Sequence, residues 1–113
     1  MLQVQQIGYL GNDANVQEVN GNRVINFSVA STEKYAGKDG NLIEVTTWLN
    51  CSFWTNSKVN EWLKKGSLVY VQGSLSAALI DLPTTNEKDV RLNCRVLKIE
   101  LLTSKEKQTN GNG

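Results

Sequence analysis

The chain has 113 residues, 40% of them apolar and 20% charged, with 12 Lys plus Arg against 11 Asp plus Glu. That is enough for one domain with a single modest core, and no run of about 18 apolar residues exists to span a membrane. A net charge of +1 excludes a protein that grips polyanions over its whole surface, so any such site must be a local patch.

In chain order, the N-terminus MLQVQQIGYL has no basic segment, long apolar run or small-residue cleavage site. No secretory signal is expected, and the cytoplasm is the expected compartment. The dominant period is two, which predicts strands. Ile25, Phe27 and Val29 alternate with Asn26 and Ser28 behind Asn20-Gly21, a pair that readily takes the positive φ angles of a tight turn. A hairpin of Val16 to Val19 and Arg23 to Thr32 follows from this. Ala36 to Asn41 is a second turn signal between Lys34-Tyr35 and Leu42 to Thr47, and the strand Val45 to Trp54 comes next. Thr55, Asn56 and Ser57 offer helix caps; Val59, Trp62 and Leu63 then fall at i, i+3 and i+4, and Gly66 suits the helix end. This predicts a two-turn helix too short to stand alone, plugging the fold with Trp62 in the core. Leu68 to Leu75 reads as a strand that Gly73 can bend or bulge. Pro83 to Asp89 is a polar loop, and Val90 to Leu102 is the last strand.

Five strands with one short helix between the third and fourth predict an all-β chain with the OB-fold, a five-stranded Greek-key barrel. SH3-like barrels have a similar strand count but usually lack the mid-chain helix. Residues 1–102 form the expected domain, and the polar stretch 103–113, ending Asn-Gly-Asn-Gly, is an expected disordered tail.

Function is carried by Trp48-Leu49-Asn50-Cys51-Ser52-Phe53-Trp54. In a strand, Leu49, Cys51 and Phe53 point to one side, an apolar core face. Trp48, Asn50, Ser52 and Trp54 point to the other, which is polar apart from its two indoles. Large flat apolar rings on a polar strand face mark a contact site. The two are six positions apart, roughly 20 Å along an extended strand, so they cannot stack on each other. They can stack on separate unpaired nucleobases, at about 1–3 kcal/mol per base with little sequence preference. Asn50 and Ser52 can bond phosphates or base edges. Backbone neutralisation needs cations nearby. The candidates are Lys34 and Lys38 in the second hairpin, Lys58 before the helix, and Arg91 and Arg95, which share a face of the last strand with Asn93. Lys64 and Lys65 are more simply helix C-terminal charges.

Other chemistries lack their residues. There is no histidine, which removes the Ser/His/Asp and Cys/His nucleophiles. Cys51 and Cys94 are too few for a zinc ribbon and are expected as reduced core thiols. No phosphate-cradling glycine motif and no carboxylate pair placed for acid–base work occur. No catalytic residue, metal or cofactor is expected.

The ordered set Gly8-Tyr9-Leu10-Gly11-Asn12-Asp13, Asn26-Phe27-Ser28-Val29-Ala30-Ser31, Thr47-Trp48, Trp54, and Trp62-Leu63-Lys64-Lys65-Gly66-Ser67-Leu68-Val69-Tyr70-Val71-Gln72-Gly73-Ser74-Leu75 resembles bacterial single-stranded DNA-binding protein over residues 2 to 102. The resemblance implies an OB-fold homotetramer that wraps single-stranded DNA in replication, recombination or repair. It places base-stacking aromatics at Tyr35, Trp48 and Trp54, and an oligomer-interface residue, often histidine, at Leu49. A fourth family aromatic falls near Ile80, and basic positions are taken by Ser76, Ala78 and Asn50. The first strand, Gln3-Val4-Gln5-Gln6, is less basic and less apolar than the family's. The acidic, Phe-ending tip by which family members recruit partners is not visible here. Less positive charge implies weaker or more salt-sensitive binding.

An isolated barrel this small leaves an edge strand uncovered, so a homo-oligomer, tetramer or dimer, is expected. Tyr70, facing away from Val69 and Val71, is the interface residue that alternation suggests. Two other readings use the same fold. One is a primosomal-type accessory adaptor, which the reduced groove charge favours slightly. The other is an oligosaccharide-binding module, which would use exposed rings without needing Lys and Arg beside them.

Overall fold

The computed structural model describes residues 1–84 and 87–103. The expected tail lies outside them from residue 104 onward, as do two residues of the loop after Pro83. Six strands appear: β1 (Gln3–Leu10), β2 (Asn15–Val19), β3 (Asn22–Ala36), β4 (Leu42–Trp54), β5 (Leu68–Asp81) and β6 (Lys88–Thr103). A single 3₁₀ turn, Val59–Trp62, separates β4 from β5.

The strands pair in the order β1-β5-β6-β4-β3-β2, and β1 also pairs with β3. Five strands thereby close a ring, and β2 extends one edge of β3. The all-β expectation and the OB-type ring are what the chain adopts. Closure depends on β1 leaving β5 for β3, where Tyr9 faces Ala30 and Leu10 faces Val29. Gly8 permits the crossing, because a Cβ there would stand 2.2 Å from the Ala30 carbonyl oxygen. On the other side, β4 runs parallel to β6 over only Asn50–Asn93, Cys51–Cys94 and Ser52–Arg95.

Alternation fills the interior as the sequence implies. Leu10, Ile25, Phe27, Val29, Leu49, Cys51, Leu63, Val69, Val71, Cys94 and Val96 form one core. Between Gln72 and Gly73 the β5–β6 register slips by one residue. The slip leaves Leu97 unpaired and exposed, and lets Ile99 and Leu101 return inward behind Cys94 and Val96. The Asn20-Gly21 turn has positive φ at both residues, 53° and 81°, as a tight hairpin with right-handed twist requires. Both cysteines are free and buried. Burial pushes both thiols up, and for Cys51 the facing Cys94 adds to this.

Four expectations need correction. The predicted two-turn helix is one 3₁₀ turn with no side-chain cap bond. Its cap candidates are spent earlier: the Thr55 hydroxyl accepts from the Ser57 N–H, and the Ser57 hydroxyl accepts from the Val59 N–H. Trp62 is not in the core but 39% exposed, because the turn ends there and Leu63 swings fully inside instead. The plug is therefore Leu63, with Val59 packed against the core. Leu49, expected at an oligomer interface, is 1% exposed at the centre of the core and offers no surface to another subunit. Finally, β5 runs six residues beyond Leu75, so β5 and β6 form a long arm paired out to Asp81–Lys88. The β3–β4 hairpin is the second arm, paired out to Ala36–Leu42. At its tip the Asp39 carboxylate accepts from the backbone and side-chain amides of Asn41, which lowers its pKa.

Candidate nucleic-acid interface

The unbroken β3–β4 register sets the outer face. Val24 faces Trp54, Asn26 faces Ser52, Ser28 faces Asn50 and Ala30 faces Trp48. Across the parallel seam, Asn50 faces Asn93 and Ser52 faces Arg95. Residues two apart share a face, so Trp48, Asn50, Ser52 and Trp54 line one ribbon flanked by β3 and β6.

Three depressions run end to end along this ribbon. The first, of about 320 Å³, is lined by Ser28, Trp48, Asn50, Asp89, Arg91 and their neighbours. The middle one, of about 230 Å³, shares Ser28 and Asn50 with the first and adds Asn12, Asn15, Asn26 and Ser52. The third, of about 350 Å³, is lined by Asn22, Arg23, Trp54, Thr55, Asn56 and Arg95. Together they form a trough with an indole and an arginine at each end and amides and hydroxyls between.

The indoles are presented, not sealed: Trp48 is 51% exposed and Trp54 40%. Trp48 lies over Gly11, where a Cβ would stand 2.4 Å from Cζ3 and 2.7 Å from Cη2 of the ring. The absent side chain at Gly11 is the space the indole occupies. Arg91 and Arg95 are exposed and have no carboxylate partner among the described residues. Asp89 is the one acid in the trough, and its carboxylate accepts from the Val90 N–H.

The polar floor is partly pre-bonded. The Ser28 hydroxyl donates to Asn12 Oδ1 at 2.8 Å, and Ser52 donates to Asn26 Oδ1 at 3.1 Å. Asn26 Nδ2 donates to Gln17 Oε1 at 3.2 Å. Arg23 is already engaged. It donates to the carbonyl oxygens of Thr55 and Ser57 and to Asn60 Oδ1, clamping the loop after β4 onto the ring.

Of the expected site residues, the structure brings together Trp48, Asn50, Ser52, Trp54, Arg91 and Arg95 and leaves the others apart. Lys34 pairs with Glu44 at 3.6 Å on the β3–β4 arm, and Lys38 sits at the arm's tip. Lys58 precedes the 3₁₀ turn and lines none of the three depressions. Tyr35 is 53% exposed but faces Ile43. By alternation it shares the face of Ile43 and Val45, opposite the face of Trp48. Asn12, Asn15 and Asn26 were missed. Asn12 and Asn15 flank the β1–β2 corner and read in sequence as turn punctuation, and only the β2–β3–β4 pairing brings these amides to the trough. Among the described residues no cluster of His, Cys, Asp or Glu could hold a metal ion, and no helix is long and apolar enough to cross a membrane.

Comparison with known proteins agrees with this geometry. The sequence profile of the Single-strand binding protein family matches residues 1–102. Single-stranded DNA-binding protein 1 of Chlorobaculum tepidum is 32% identical over 106 residues, covering 91% of this chain and 65% of that protein. Single-stranded DNA-binding protein 1 of Xylella fastidiosa is 33% identical over 111 residues, covering 95% of this chain and 79% of that protein. A Neisseria meningitidis single-stranded DNA-binding protein is 38% identical over 74 residues, covering 63% of this chain and 42% of that protein. The chain thus spans 65% and 42% of the length of two of these relatives. Among solved structures, a Plasmodium falciparum SSB in complex with ssDNA superposes with a TM-score of 0.69 at 24% identity, covering 91% of this chain and 94% of that one. A small single-stranded DNA-binding protein from Streptomyces coelicolor gives 0.71 at 14% identity, covering 88% and 93%. The strand ring is therefore the OB-fold these structures share, and the chain belongs to the Single-strand binding protein family.

Proposed function

We propose that this chain holds single-stranded DNA during replication, recombination or repair, without catalysing a reaction. Unpaired bases stack on Trp48 and Trp54, and Arg91 and Arg95 neutralise the phosphates beside them. The observation that carries this reading is the trough itself: two half-exposed indoles on one strand face, each beside an arginine with no carboxylate partner among the described residues. A duplex hides its base faces, so the same rings offer it nothing. Tyr35 is a further platform for a strand that wraps round the β3–β4 arm to its other face, with Lys38 at the arm's tip and Lys34, paired with Glu44, on the face of Trp48. Lys58 is the cation a longer strand would meet beyond Trp54.

Titration of intrinsic tryptophan fluorescence with oligo-dT and with a duplex of equal length tests this. Single strands should quench the signal, and the duplex should need far higher concentration. Trp48→Ala should weaken oligo-dT binding by about 1–3 kcal/mol. Equal response to both forms, or unchanged affinity in the variant, would refute the stacking mechanism.

Self-association is proposed through the outer face of β1 and β5. There Ile7 and Tyr9, 56% and 57% exposed, face Tyr70 and Leu68. Tyr70 is half-buried, and its hydroxyl donates to Gln72 Oε1. Sedimentation at micromolar concentration should show a dimer or tetramer, and Tyr70→Asp should shift it toward monomer.

A further inference from the structure

The middle of the trough is unlike its ends. Its side chains, Asn12, Asn15, Asn26, Ser28, Asn50 and Ser52, carry no charge. A phosphate gains little there compared with the arginines at either side. Trp48 and Trp54 are roughly 20 Å apart along β4, while stacked nucleotides rise about 3.4 Å each. A strand stacked on both indoles therefore carries intervening nucleotides across this uncharged floor.

Two of the floor's four amides are spoken for: Asn12 and Asn26 have their oxygens occupied by Ser28 and Ser52, and their nitrogens donate to Asp13 and Gln17. Those bonds fix which way each amide points. Asn15 makes no side-chain hydrogen bond among the described residues, but it is exposed and lines the middle depression alone, on the rim away from the indoles' strand. Asn50 lines both the first and the middle depression, is half-buried, and makes no side-chain hydrogen bond among the described residues. Its donor and its acceptor are both free, aimed into a space of about 230 Å³.

An amide is matched by an adjacent donor and acceptor. Adenine offers that pair on two edges, N6 with N7 and N6 with N1. Thymine offers it on one edge only, with a methyl group on the other. An unpaired strand exposes both edges. We propose that Asn50 reads the edge of the nucleobase crossing the middle of the trough and favours adenine over thymine there. This contact adds to stacking that accepts any base, and it rests on the single-strand reading above.

The test compares the native chain with Asn50→Ala on oligo-dA and oligo-dT of equal length, at two salt concentrations, by anisotropy of labelled strands. Self-stacking of oligo-dA penalises both proteins alike, so only the ratio of the two losses matters. Asn50→Ala should lose about fivefold or more affinity for oligo-dA beyond its loss for oligo-dT, the low end of one bidentate base contact. That excess should be the same at both salts, because no phosphate charge is removed. Equal losses on the two strands, or an excess that vanishes as salt rises, would overturn the assignment. Since Asn50 is on a solvent-facing strand position, the variant should melt with the native chain, and the melt is recorded alongside. Trp48→Ala on oligo-dT separates the two claims. If it weakens binding while Asn50→Ala shows no adenine excess, the base-edge contact fails and the single-strand site stands. If neither oligonucleotide binds the native chain, both fail.

Discussion

Replacing Gly11 by Ala perturbs one platform without touching the ligand. The backbone there is outside the left-handed region, so alanine is permitted by the chain. Only the indole objects. A Cβ would stand 2.4 Å from Trp48 Cζ3, whereas carbon atoms rest at about 3.5–4.0 Å. The ring must therefore retreat by about 1 Å or more. Its half-exposed edge has room to move outward, so the fold should lose about 1 kcal/mol or less, while the stacking plane is displaced. The upper bound on the binding loss is the whole of one stack, about 1–3 kcal/mol. A partial loss of about threefold to tenfold in affinity for oligo-dT is expected. Anisotropy of a labelled oligonucleotide reads this without relying on the perturbed tryptophan. The decisive comparison is a double-mutant cycle. In a Trp48→Ala background, Gly11→Ala should cost nothing further, because the ring it displaces is gone. The same loss in both backgrounds, or none in either, would show that Gly11 does not act through the indole.

Three further outcomes are expected. Arg91→Ala and Arg95→Ala should each flatten the dependence of log affinity on log salt by about 0.7 for a single strand, and an unchanged slope would remove that arginine from the backbone contacts. Ser67 is fully buried with its hydroxyl unpartnered. Ser67→Ala should therefore be neutral or stabilising by about 1 kcal/mol in urea denaturation, and clear destabilisation would mean the hydroxyl has a partner. Burial raises the thiol pKa of Cys51 and, less strongly, Cys94. Both stay protonated in the fold at pH values where unfolded thiols ionise, so their contribution is complete below about pH 8.5 and is lost as pH rises above it. The native chain should lose more stability than Cys51→Ala between pH 8 and pH 10, and parallel curves would contradict this.

The part of the site written on one strand was legible in the sequence. Strict alternation from Trp48 to Trp54 places both indoles outward, and Arg91 and Arg95 alternate against Cys94 and Val96 in the same way. What sequence could not supply is whatever depends on a distant strand. The polar floor comes from Asn12, Asn15 and Asn26, which reach the trough only through the β2–β3–β4 register. The fit of Trp48 onto Gly11 joins residues far apart in the chain, and neither signals the other. Trp62 and Leu63 are equally apolar, and helical spacing favoured both. The turn ended at Trp62, well short of Gly66, and only Leu63 went inside. Leu49 shows the opposite lesson. Its alternation with Cys51 placed it in the core, while the resemblance placed it at an interface, and the local pattern prevailed. The extension of β5 past Leu75 was missed because Ser76 to Ile80 lacks a two-residue period.

The three-rung parallel seam between β4 and β6 has a mechanical consequence. It is the shortest junction but one in the ring, and it underlies the trough, with Trp48 and Trp54 on one lip and Arg91 and Arg95 on the other. A polymer lying across it, stacked on one lip and paired by charge to the other, would act as a stitch over one of the two short junctions of the hoop. Occupancy should thus slow amide exchange at Asn50 to Ser52 and Asn93 to Arg95 well beyond any shielding of the surface. The cargo would become part of what keeps its carrier closed.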